Sequence, residues 1–334
     1  MQISHTKNMR AAIVTKFGGP EVLELTEIQI PTPNSHHVLI RVHAASVNFA
    51  DINARKGMYH LGKKPPFIPG IDCAGVVAAV GANVTNIDVN QKVVAFPATG
   101  SYAEFALAEE NLVFPIPETL PYDLAASFPI VGGTSYHMLK KVAKLKQNET
   151  ALIHTAGGGV GSTALNIAKY LRASMVIGAT HSSWKETHIK KIGADAVVNL
   201  NSADLVDNIN SLTGSKGVDV ILNPIGGRTI EKDLECLAPF GRLVLFGNLA
   251  AANYSPKISS LFTLNQSILG FSFGHYRRHR PEDIQDTMDS VINLVAAGKI
   301  EMQIAKRIPL ENVQRAHRLL ENREVLGKLI LMND

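Results

Sequence analysis

The run Ala151-Leu152-Ile153-His154-Thr155-Ala156-Gly157-Gly158-Gly159-Val160-Gly161, followed by Ser162-Thr163-Ala164-Leu165-Asn166-Ile167-Ala168-Lys169, limits what this chain can fold into more than any other stretch. The short apolar run predicts a strand, the glycines a turn, and the amphipathic remainder a helix. A dinucleotide loop needs a tight first turn, a second glycine where backbone meets pyrophosphate, and a third for close helix–strand packing. Those positions are Ala156, Gly158 and Gly161, so alanine stands at the first. Gly159 and Val160 belong to the turn, and the helix that follows would point its unpaired N–H groups and positive dipole end at the pyrophosphate. A second strand, Met175-Val176-Ile177-Gly178-Ala179, follows at the distance a βαβ unit requires.

The 334 residues allow two domains, each with its own core. From Met9 to about Pro117, short β-branched runs such as His37–Val42 and Ala74–Val80 are broken by Gly, Pro and Asn, which predicts a small coiled β domain. Helical patterning follows from Pro121 to about Lys144. From Ala151 to roughly Gly270 strands and helices alternate, including Val218–Leu222 and Arg242–Phe246, which argues a parallel doubly wound sheet. Beyond it come a basic connection, Arg277 to Arg280, a helix near Asp283–Ala297, and a closing strand, Lys328–Leu331. The net charge of +4 is not gathered into basic runs, so a nucleic-acid partner has little support. No apolar segment reaches membrane-spanning length, the polar N-terminus lacks a signal-peptide core, and two isolated cysteines suggest no disulfide framework. A cytoplasmic protein is expected.

Phe17-Gly18-Gly19-Pro20-Glu21-Val22-Leu23, Asn48-Phe49-Ala50-Asp51, Pro69-Gly70-Ile71-Asp72-Cys73-Ala74-Gly75-Val76-Val77, the glycine loop, Phe246-Gly247-Asn248, Ala316-His317 and Gly327-Lys328 occur in that order. In this the chain resembles the zinc-independent quinone oxidoreductase (zeta-crystallin-like) branch of the medium-chain dehydrogenase/reductase superfamily. The resemblance implies an α/β fold, a GroES-like β-rich catalytic domain interrupted by a Rossmann doubly wound parallel-sheet domain. The limits are then 1–127 and 268–334 for the catalytic domain and 128–267 for the NADP-binding one. It also implies a homodimer. Zinc-containing relatives carry a ligating Cys near Asn48 and a Gly-His-Glu motif where this chain reads Gly70-Ile71-Asp72, so two ligands are chemically missing and no metal is expected.

An NAD site places an acid about twenty residues past the loop to hold the ribose 2′-hydroxyl. Thr180 stands there instead, followed by Ser182, Ser183 and Lys185, donors compatible with a 2′-phosphate. The resemblance adds Arg323 as a second cation for that phosphate, and implies that Leu200 replaces a tyrosine contact. NADPH is the expected cofactor. Lys185 would otherwise be the solvated start of a helix running to Ile192.

The resemblance also implies hydride transfer from NADPH to a quinone, with Asn48, Asp51 and Tyr59 around the acceptor. Asn48 could donate an amide hydrogen to the acceptor oxygen, Tyr59 a hydrogen bond or proton, and Asp51 would orient its neighbours. Asn48 and Asp51 are equally suited to fixing the loop they occupy. Thr134, Phe246, Gly247 and Asn248 match cofactor-contacting positions, although Thr134 also suits a helix cap. Two other functions fit the same residues. One is reduction of α,β-unsaturated aldehydes or ketones, and the other a non-catalytic NADPH-binding, crystallin-like role with RNA contacts.

Overall fold

The computed structural model describes residues 8–58, 63–256 and 258–333, so Tyr59 lies outside the described residues. The chain forms two compact units. The first comprises Met1–Ile130, Arg277–Ala296 and Met302–Asp334, and the second Val131–Tyr276 and Ala297–Glu301.

The first unit begins with an antiparallel pair, β1 (Asn8–Val14) and β2 (Leu23–Gln29). It continues with β3 (His37–Val47), α1 (Phe49–Arg55), β4 (Cys73–Val80), β5 (Lys92–Ala95), β6 (Phe105–Glu109), β7 (Val113–Pro115) and α2 (Tyr122–Ser127). β3 is long and opens with β-branched residues, and its last four positions, Ala44, Ala45, Ser46 and Val47, are all buried, as in a strand covered on both faces.

The second unit opens in α3 (Pro129–Tyr136), which passes into a wider π turn over His137–Val142. Strand and helix then alternate: β8 (Thr150–Ile153), α4 (Gly159–Tyr170), β9 (Met175–Thr180), α5 (Glu186–Lys191), β10 (Ala196–Asn199), α6 (Leu205–Leu212), β11 (Val218–Asn223), α7 (Thr229–Cys236), β12 (Leu237–Leu245), α8 (Ile258–Thr263), β13 (Ser267–Gly270) and α9 (Phe273–His279). Among the described residues these strands make one six-stranded sheet in the order β10-β9-β8-β11-β12-β13, parallel throughout. The order reverses between β8 and β11, and such sheets bind ligands outside the carboxyl ends of the strands at that point. β13 pairs with β12 from Ser267 onward, so the sheet extends past residue 267.

The chain returns to the first unit at Arg277, within α9, and runs on as α10 (Pro281–Ala296); after Ala297–Glu301, which belong to the second unit, the first unit gains β14 (Ile304–Pro309), α11 (Val313–Glu321) and β15 (Lys328–Met332). β15 pairs with the second half of β3, Leu329 opposite Val47, while β6 pairs with the first half, Phe105 opposite Arg41. The C-terminus is thereby stitched into the N-terminal sheet beside Asn48. The basic connection expected at Arg277–Arg280 is instead the end of α9, and Arg277 donates to the Ile71 carbonyl at 3.3 Å and lies over the Phe96 ring.

Candidate functional site

In the second unit the glycine loop joins the central strand to α4. Ala156 donates its N–H to the Ala179 carbonyl at 3.0 Å, tying the loop to the end of β9. With alanine at the first glycine position, the left-handed turn falls on Thr155, at φ 50°. A side-chain carbon on Gly161 would sit 2.4 Å from the Thr155 carbonyl oxygen and 2.7 Å from the Ala156 Cα, so this glycine sets the helix–strand approach. A carbon on Gly158 would meet only the Thr155 oxygen, at 3.3 Å, leaving open space where a ligand's phosphates would pass. The bond from Ser162 N–H to the Gly158 carbonyl closes the first turn of α4. The N–H groups of Gly159, Val160 and Gly161 precede that bond, and the first turn holds no acidic residue. This loop fits a dinucleotide pyrophosphate.

β9 ends at the buried Thr180, whose hydroxyl accepts the Ser182 N–H at 3.1 Å. Lys185 does stand at the start of α5, as its N-cap, but it is not solvated. It closes a short 3₁₀ turn, Ser183–Lys185, is buried, and packs its ammonium 4.9 Å from the centre of the exposed Trp184 ring. Leu200 is buried, and its N–H reaches the Thr180 carbonyl at 2.8 Å. Beside it, a cavity of about 130 Å³ is lined by His154, Leu200, Leu205, Arg228, Thr229 and Lys232, all following carboxyl ends of strands. A larger space of about 290 Å³ around Glu149, Asp219 and Arg242 lies at the amino ends, the wrong side for a dinucleotide. Phe246 follows β12 and donates to the Asn223 carbonyl at 3.2 Å. A side-chain carbon on Gly247 would press to 2.7 Å on the Pro224 oxygen, and Asn248 is exposed. Thr134 is buried in α3, where Ser135 next to it donates to the Val160 carbonyl at 3.0 Å. Arg323 belongs to the first unit, exposed in the turn after α11 at φ 59°.

In the first unit Asn48 and Asp51 do meet. Asn48 precedes α1, and its N–H donates to Asp51 Oδ2 at 2.9 Å, a helix-start device that fixes the loop. Both ends of the Asn48 amide are engaged as well. Nδ2 donates to Asp72 Oδ1 at 2.8 Å and, over longer contacts of 3.2 and 3.4 Å, to the Ser46 hydroxyl and carbonyl. Oδ1 accepts from Lys328 Nζ at 2.6 Å, and that ammonium also donates to the Val47 carbonyl at 3.1 Å. Asp72, fully buried, further accepts from the Ser46 hydroxyl at 2.7 Å and the Ile130 N–H at 3.1 Å. Burial lowers the Lys328 pKa, opposed by the charges of Asp72 and Asp51.

A second hydrogen-bond chain ends on Asp51. Arg55 can only donate, so the His317 Nδ1 at 3.2 Å must accept and its Nε2 must carry the proton. His317 Nε2 then donates to the Tyr102 hydroxyl at 3.3 Å, which donates to Asp51 Oδ2 at 2.9 Å. Burial and the neighbouring Arg55 charge push His317 down to about 3, consistent with a neutral ring. Burial raises Asp51 to about 7 against the opposing Asn48 N–H bond. Its Oδ1, also buried, has no hydrogen-bond partner among the described residues.

Asp72, Lys328, Tyr102, His317 and Arg55 were not legible as site residues. The available signal was charge in apolar text. Lys328 opens Leu-Ile-Leu-Met, and Asp72 precedes Cys-Ala-Gly-Val, where unpaired charges are almost never buried.

An "Alcohol dehydrogenase GroES-like domain" model matches residues 34–118 and a "Zinc-binding dehydrogenase" model residues 159–293. A GroES-like sheet domain and a parallel dinucleotide-type domain in one chain define the medium-chain dehydrogenase/reductase class. Within it, the Rattus norvegicus quinone oxidoreductase is 33% identical over 329 residues, covering 98% of both chains. The Danio rerio synaptic vesicle membrane protein VAT-1 homolog is 32% identical over 98% of this chain and 71% of its own. The solved Escherichia coli quinone oxidoreductase complexed with NADPH superimposes with a TM-score of 0.88 at 30% identity, covering 98% of this chain and all of that one. The chain belongs to the quinone oxidoreductase branch of this superfamily of oxidoreductases.

Proposed function

We propose that the chain reduces quinones with NADPH by hydride transfer, without zinc, as a cytoplasmic homodimer. The observation that carries the cofactor reading is the carboxylate-free end of β9. Thr180 stands where an acid would repel a 2′-phosphate, with Lys185 beside it. The NADPH complex of the Escherichia coli relative supports the same cofactor. When bound, NADPH supplies the hydride.

The protein's part is to bind, orient and stabilise. The N–H groups of Gly159, Val160 and Gly161 would hold the pyrophosphate, and Lys185 would neutralise the 2′-phosphate. Thr134, Phe246, Gly247 and Asn248 flank the nicotinamide half. The Nδ2 hydrogen of Asn48 held only by long contacts to Ser46 is available to an acceptor oxygen as negative charge develops there. Tyr59 supplies a second donor, and Asp51 holds the start of α1 in register. Zinc independence is supported by the donor set. Ile71 offers no ligand atom, and the Asn48 amide is committed to a carboxylate and an ammonium.

Steady-state NADPH oxidation against paired quinones and enones, with product analysis, tests this reading. Turnover with quinones supports it. Enone reduction alone, with deuterium from labelled NADPH retained on product carbon, replaces it by the enone activity.

A further inference from the structure

The two ends of the Asn48 amide differ chemically but are alike in shape, so something must decide which faces outward. Lys328 Nζ carries donors only, so the amide atom 2.6 Å from it must be the oxygen. Asp72 Oδ1 already accepts from Ser46, so the amide atom 2.8 Å from it must be the nitrogen. With the hydroxyl hydrogen of Ser46 spent on Asp72, Ser46 can only accept from the second Nδ2 hydrogen, over 3.2 and 3.4 Å. Flipping the amide would set its oxygen against Asp72 and leave Lys328 facing an NH₂ group.

Lys328 itself is held rigidly. It opens β15, where Leu329 pairs with Val47. Gly327 before it, at φ 94°, passes so close to the Gln303 carbonyl that a side-chain carbon there would lie 2.1 Å from the oxygen. The residue is 4% exposed. An ammonium buried so deeply is costly to desolvate, and an apolar side chain of similar length would fill the same space without that cost. Here the ammonium both faces the buried carboxylates of Asp72 and Asp51 and holds one end of the Asn48 amide.

We propose that Lys328 is a positioning residue that locks the Asn48 amide with Oδ1 on its ammonium, so that Nδ2 stays the end that can donate to an acceptor oxygen. The inference rests on the reading of Asn48 as the donor to the acceptor oxygen. Replacing Lys328 by Met removes the donor and keeps the apolar stem. In Lys328→Met, kcat for quinone reduction should fall roughly 10–100-fold, the usual loss when an orienting partner is removed, with NADPH affinity unchanged. Lys328→Arg keeps a donor-only group and should lie closer to the unmodified enzyme. In an Asn48→Ala background the Lys328→Met change should cost almost nothing further, because its effect runs through the amide. A full, additive loss in that background overturns the proposal.

A crystal structure of Lys328→Met reads the orientation without any turnover. The expected result is an amide no longer anchored at Oδ1, rotated or spread over several positions, with its 2.8 Å contact to Asp72 lengthened. An unmoved amide overturns the proposal even if quinones are substrates, and a displaced one upholds the lock even if they are not. Should the Met variant fail to fold, neutron diffraction on the unmodified protein decides, since deuterium on Nζ must point at Asn48 Oδ1. The absence of any deuterium aimed at Oδ1 refutes the lock, whatever the one shared with the Val47 carbonyl does.

Discussion

Two glycines three residues apart should fail in opposite ways. A Cβ on Gly161 would stand 2.4 Å from the Thr155 carbonyl oxygen and 2.7 Å from the Ala156 Cα, both backbone atoms that cannot turn aside. Gly161→Ala must therefore push α4 away from β8, an overpacking cost of about 1–3 kcal/mol. Gly158 has extended backbone, φ −88° and ψ 175°, which valine tolerates, and its added carbon would meet one atom at 3.3 Å. Gly158→Val should keep the melting temperature but fill the path of the pyrophosphate. Losing one charge-assisted hydrogen bond there costs about 1.5–3 kcal/mol, or roughly 10–100-fold in Kd, and losing two correspondingly more. Thermal melts together with NADPH titration by fluorescence or calorimetry separate the two effects. Normal NADPH binding by Gly158→Val, or an unshifted melt for Gly161→Ala, would refute the assignment of the loop.

Three further outcomes follow from the same geometry. Lys185→Ala should weaken NADPH roughly 10–100-fold and leave NADH nearly untouched, as read by parallel titrations, because the 2′-phosphate is the group that NADPH has and NADH lacks. Asp51 is raised to about 7 in the folded chain, against about 3.9 unfolded, so its stabilising contribution is complete below about pH 4 and lost as pH rises through 7. Asp51→Asn should remove roughly 4 kcal/mol of pH dependence across that window in urea titrations, and an unchanged slope would contradict the buried ionisation. Purified protein should carry no stoichiometric zinc and keep its activity after chelator treatment. Elemental analysis finding one zinc per chain would end the zinc-independent reading.

The parts of the account legible in sequence are those built from neighbouring residues. The turn from Ile153 to Gly161 and the missing acid at Thr180 are local, so spacing alone exposes them. The alternation after Ala151 predicts the parallel sheet for the same reason, because each βαβ unit closes within a short stretch of chain. The polar cluster is different. Asn48, Asp72 and Lys328 meet because β3 pairs with β4 on one side and β15 on the other, contacts spanning up to 280 residues of sequence. The alternative reading of Lys185 as a solvated helix start is right about the helix start and wrong about solvation, because its burial depends on the packing around the 3₁₀ turn at Ser183–Lys185.

The central claim is that NADPH passes a hydride to a quinone in this site. Single-turnover oxidation of NADPH by a quinone, run with and without deuterium at the transferring C4 position, tests it most directly. One hydroquinone should form per NADPH consumed, and the reaction should slow with the deuterated cofactor. NADPH that binds but is not consumed, or consumption at the same rate with deuterium and a one-electron product, would contradict it.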